Sequence, residues 1–147
     1  MPATRVVKFY NNDQPGAVAA LKEYVDQSQG PAAKAAAEID LSYIELAHRD
    51  ATAADKALDN SIAVKAGDPY WPVLIAILRG SQREYAGRHA DAVAILNRLS
   101  ASIQALPVPA SQQAGLEALR LVWLAQAQAK LGQADATAAT AKAAAAV

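Results

Sequence analysis

The sequence predicts an all-α protein organised as a helical repeat array, and three observations predict it. Alanine, the strongest helix former, fills 38 of the 147 positions, so the 53% apolar content reflects small residues more than bulky core formers. Prolines, glycines and Asp/Ser capping residues fall between periodic apolar segments and hardly ever inside them. The turns between those segments recur about every 37 residues, which is the period of a two-helix unit. The length suits one domain, residues 1–147.

The punctuation divides the chain into helix-length pieces, giving seven to eight helices. The first is short, Thr4 to Tyr10, and runs into Asn11, Asn12 and Asp13. Asp13 can accept from the free amides of the second helix, whose first turn holds Pro15 and which extends to about Gln27. Gly30 and Pro31 stop one helix and start the next, over roughly 31 to 48. Asp50 or Thr52 caps the fourth, Thr52 with Asp55 forming a shorter-armed capping box, and Gly67 ends it. Asp68 and Pro69 open the fifth, with Leu74, Leu78 and Tyr85 on one stripe. After Gly87 the sixth carries Ala92, Ile95, Leu96 and Leu99. Pro107 and Pro109 forbid a continuous helix, Ser111 can cap the seventh, and this runs to Leu131. Beyond Gly132 the last helix is nearly all alanine, with good propensity and little to bury.

The turns lie near Asn12, Arg49, Gly87 and Gly132, at spacings of 37, 38 and 45, the last lengthened by the proline-rich connection. Small residues recur midway along the leading helix of each pair at Ser42, Gly80 and Ala125. Five residues after the turn come Ala17, Ala54 and Ala92, with Thr137 departing, and four further on Leu21, Leu58 and Leu96, with Ala141 departing. On these residues the chain resembles the tetratricopeptide repeat family. The resemblance covers nearly the whole chain and departs from the family at Glu45, Arg83 and Gln128, where the family usually packs a tyrosine. It implies a tetratricopeptide-like α-solenoid of antiparallel helix pairs with a concave groove: a half repeat over 4–29 and repeats over about 31–67, 69–104 and 111–147.

The same resemblance implies a non-catalytic module that binds a peptide or a helix of a partner protein. Tyr43, Leu78, Tyr85, Trp123 and Lys130 fall near its groove-lining positions. Some members clamp a partner's terminal carboxylate with basic side chains, a role open here to Arg79 and Arg83, which are four apart and share a helix face. The competing reading is an internal ion pair between Glu45 and Arg83 of adjacent repeats. Trp71 is read as stapling a helix entry, and most of the aromatic residues as core. The chain is similar to alanine-rich degenerate arrays of bacterial envelope-associated proteins, in which an anchor precedes the soluble part. This implies a periplasmic domain if an upstream anchor has been removed, and a bacterial cytoplasmic protein otherwise.

Composition narrows the alternatives. With 14 basic and 14 acidic side chains there is no long-range field to draw the chain to nucleic acid. The lack of cysteine excludes disulfides, thiolate metal sites and cysteine nucleophiles. No stretch approaches the roughly 20 apolar residues of a spanning helix, so no membrane insertion is expected. Phosphate loops, serine elbows and HExxH pairs are missing, and no catalytic, metal or cofactor site is assigned. His48 and His89 are read as surface residues at turns; Glu38, Asp40 and Glu45, like Asp55 and Asp59, as solvated helix faces. Residues 1–73 carry net charge −3 and 74–147 net +3, which, with the bare terminal repeats, motivates self-association into a homo-oligomeric scaffold as the alternative. A small-ligand receptor or enzyme ranks below both.

Overall fold

The computed structural model describes residues 13–147 and is all-helical, with eight helices and no strand among them. None of these helices is long and apolar enough to cross a membrane. The expected first helix, Thr4 to Tyr10, and the turn near Asn12 lie outside the described residues. The chain divides into two compact units between Gly67 and Asp68, at the boundary between the repeats read at 31–67 and 69–104.

The first unit holds α1 (Gln14–Gln27), α2 (Pro31–Ala47) and α3 (Ala51–Val64), with α2 packed against both of the others. Each start follows from local chemistry. The Asp13 carboxylate accepts from the Gly16 amide at 3.0 Å, and that of Asp50 from the Ala53 amide at 2.8 Å, each occupying a donor with no partner inside its helix. Asp50, not Thr52, is therefore the cap of α3. Gly30, at φ 88°, turns the chain into Pro31. Leu21, Leu41 and Ala57 form the core, supported by Val18, Tyr24 and Ile44. Full burial of a leucine contributes roughly 1.5–3 kcal/mol, and the fully buried alanines Ala17, Ala35 and Ala54 let the helices approach closely. The buried Ser61 hydroxyl donates to the Ala35 carbonyl at 2.9 Å, tying the end of α3 to the start of α2.

The second unit holds α4 (Tyr70–Tyr85), α5 (His89–Asn97), α6 (Leu99–Gln104), α7 (Ala110–Lys130) and α8 (Ala134–Ala144). Ile77, Leu96, Ile103, Leu106, Leu116 and Leu124 form its core. Gly80 is the point of closest approach: a Cβ built there would lie 2.7 Å from both Cγ and Cδ2 of Leu96. The sequence reads residues beyond Gly87 as one helix, but the structure divides it at Arg98. There the Arg98 amide bonds only three residues back, to Ile95 (3.3 Å), and the Leu96 carbonyl accepts from Arg120 of α7 (3.1 Å). Ser111 does not cap α7, because the helix already begins at Ala110 and places it inside the first turn. The α8 helix buries only Thr140, whose hydroxyl donates to Gln128 Oε1 at 2.8 Å.

Three turns share one hydrogen-bond pattern. The amides of Asp50, Arg88 and Gln133 donate to the carbonyls of Glu45, Arg83 and Gln128 at 3.0, 2.8 and 3.0 Å. The residue before each donor, Arg49, Gly87 or Gly132, is left-handed, with φ of 63°, 75° and 71°. Arg49 thus takes the glycine conformation without being glycine. Of the positions singled out by the period, Ala17, Ala54 and Ala92 with Leu21, Leu58 and Leu96 have no exposed surface, whereas Thr137 is half-buried and Ala141 exposed.

Candidate functional site

One stripe of α2 faces inward, through Ala35, Glu38, Ser42 and Glu45, all buried. Two of its members are carboxylates. Glu38 is 6% exposed and Glu45 is 7% exposed, so the expectation that both lie on a solvated face is wrong; Asp40, off that stripe, is exposed. Glu45 occupies one of the positions where the resemblance expects packing, and Glu38 precedes it by seven residues, two helical turns. That spacing was the available signal.

Both glutamates line a hollow of about 350 Å³ among α1, α2 and α3. Helix α1 contributes Lys22, Val25 and Asp26, and α3 contributes Ala53, Lys56, Ala57 and Asn60, with Leu41 of α2 beside the two glutamates. A second hollow, of about 500 Å³, has Lys22, Glu45 and Ala53 in its lining too, and adds His48 and Asp50. The Lys22 ammonium lies 3.5 Å from Glu45 Oε1, and His48 Nδ1 lies 4.0 Å from Glu45 Oε2.

Glu38 is less well provided. Its Oε1 accepts from Asn60 at 3.4 Å, a long bond, and its Oε2 is buried with no hydrogen-bond partner. Burial pushes the Glu38 carboxyl above the usual glutamate range; the Asn60 bond and the Lys34 charge pull it back, and Asp26 adds to the rise. His48 and His89 are partly buried beside carboxylates, a correction to their reading as surface residues; His89 Nδ1 is 3.8 Å from Glu84 Oε1. Among the described residues no group of three His, Asp or Glu is placed to hold a metal ion.

Of the residues assigned from sequence, only Tyr43 belongs to the first unit, on α2; it is 42% exposed and lines neither hollow. Tyr85 ends α4 at 74% exposed, and Lys130 is exposed in the last turn of α7. Leu78, Arg79 and Arg83 are half-buried on α4, and the two arginines have interaction partners. Trp123 is half-buried against the core of the second unit. Lys22, Lys56 and Asn60, which sequence reasoning did not single out, gain their relevance from long-range packing.

No known family's sequence pattern, no curated protein and no solved structure matches the chain.

A second polar cluster has a structural character. Arg120, almost fully buried on α7, donates to Glu117 through Nε (2.7 Å) and Nη2, and to the Leu96 carbonyl through Nη1. The hydrogen bond from Arg120 holds the Glu117 carboxyl below the usual range against the opposing effect of burial. With Ser100 also donating to Glu117 at 3.3 Å, the cluster joins α5, α6 and α7.

Proposed function

We propose that the chain is a non-catalytic interaction module, built from antiparallel helix pairs of tetratricopeptide type, that holds a segment of a partner protein in the hollow among α1, α2 and α3. The recurrent turn geometry supports the repeat reading, because the same hydrogen-bond pattern with a left-handed residue closes three helix ends at related sequence positions. The observation that carries the binding reading is the hollow itself. It is preformed by three packed helices, and its lining sets the half-buried Ala53 and the exposed Lys22, Lys56 and Asn60 beside buried carboxylates. A site framed by helices spares the protein most of the ordering entropy of association, leaving that cost to the partner. Leu78, Arg79, Arg83, Tyr85, Trp123 and Lys130 constitute a second candidate contact set, within the other unit.

Selection from a random peptide library tests the reading. Enriched peptides are expected to bind the wild-type chain and to lose affinity when Ala53→Arg, at a half-buried lining position, fills the hollow. Peptides that bind Ala53→Arg, shown to be folded by its helical circular dichroism, as well as wild type would remove the hollow from the site.

A further inference from the structure

We propose that the hollow of the first unit recognises a cationic side chain, a lysine or arginine of the partner segment, by seating its charged head on Glu38 and its stem beside Ala53. The inference rests on the reading of that hollow as the partner site.

The Glu38 carboxylate is under-provided with donors. The residue is 6% exposed and lines the hollow, its Oε1 holds one long bond from Asn60 at 3.4 Å, and its buried Oε2 has no donor. A buried acceptor without a donor is costly, and a charged donor in a low-dielectric setting makes a short, strong bond. Charge points the same way. The lining carries three carboxylates, Asp26, Glu38 and Glu45, against two ammonium groups, Lys22 and Lys56. Lys22 is committed to Glu45 at 3.5 Å, and Lys34, one turn before Glu38 on α2, pulls on its charge without donating a hydrogen bond to Oε2. The ionised hollow is therefore one positive charge short of neutral.

Shape does too. About 350 Å³ is the share of liquid volume of roughly ten waters, room for an extended side chain. Ala53, half-buried in the lining, suits the methylene stem of lysine or arginine, which buries readily while its head keeps polar company. A carboxylate-bearing side chain would meet Glu38 and Glu45 at close range, and a purely apolar one would leave Glu38 Oε2 as it is.

The test uses four blocked pentapeptides, acetyl-Gly-Gly-Xaa-Gly-Gly-amide with Xaa lysine, arginine, norleucine or glutamate, titrated into the isotopically labelled chain and followed by amide shifts. Lysine and arginine peptides are expected to shift amides around Lys22, Glu38 and Asn60 and to bind about tenfold more tightly than norleucine. Glu38→Gln, nearly isosteric, should erase that preference. A second readout needs no variant: the carboxyl carbon of Glu38 should titrate at lower pH when the arginine peptide is bound, because the cation favours the ionised form. Equal binding of norleucine and lysine peptides, or a lysine preference that persists in Glu38→Gln, overturns the cation inference and leaves the hollow as a partner site. A hollow untouched by all four peptides overturns both.

Discussion

Alanine introduced at two helical glycines of the second unit should have opposite effects on stability. At Gly80 the new methyl group would sit 2.7 Å from Leu96 Cγ and Cδ2, and Leu96 has no exposed surface into which to retreat. Overpacking of this kind costs about 1–3 kcal/mol. Better helix propensity returns about 1 kcal/mol, so Gly80→Ala should destabilise by about 1 kcal/mol. Gly115 lies within α7 with nothing within 4 Å of its Cβ position, so Gly115→Ala keeps only the propensity gain. In a unit of this size 1 kcal/mol moves Tm by about 4–8 °C, so circular dichroism melts should separate the two variants clearly. Adding Leu96→Ala to Gly80→Ala should cost less than the separate effects combined, because the truncated side chain vacates the clash. Gly80→Ala melting above wild type, alongside Gly115→Ala, would refute the close packing of α4 on α5.

Other expectations concern single residues. Arg49→Gly relieves a non-glycine residue at φ 63° and should stabilise the first unit by about 1 kcal/mol, read from urea midpoints. Asp50→Ala removes the α3 cap and should cost about 1 kcal/mol, whereas Thr52→Ala should change little; the reverse order in thermal melts would reassign the cap. Glu117 has its carboxyl depressed in the folded state, so its ionised form contributes stability above the unfolded value near 4.5 and loses it as pH falls through the lower folded value. The stability gap between wild type and Glu117→Gln should therefore narrow on acidification. Arg120→Ala should cost about 2–3 kcal/mol at neutral pH in the same unfolding assay, since Glu117 and the Leu96 carbonyl both lose their charged donor.

Where punctuation is local, the sequence was sufficient to locate helices. Asp13, Gly30 with Pro31, Asp50 and Gly132 act through their own backbone or a bond three residues away, so spacing alone identifies them. The period also placed a turn at Arg49, where no glycine marks it, and the backbone adopts the conformation its counterparts have. Features decided at long range escaped. No proline or glycine separates α5 from α6, and the Leu96 carbonyl at that break accepts from Arg120, 24 residues away. The burial of Glu38 and Glu45 escaped for a related reason. Carboxylates read as solvent-facing unless a helical register fixes their side, and the stripe of Ala35, Ser42 and Glu45 was needed to fix it. Of the residues that the family resemblance nominated, Tyr43, Tyr85 and Lys130 are exposed, Leu78, Arg79 and Arg83 are half-buried, and Trp123 packs against core.

The most direct measurement is the amide-shift map of a library-selected peptide on the labelled chain. Shifts concentrated on α1, α2 and α3, at residues such as Lys22, Glu38, Ala53 and Asn60, are what the proposed role predicts. A tightly bound peptide whose shifts fall wholly outside those three helices would contradict it.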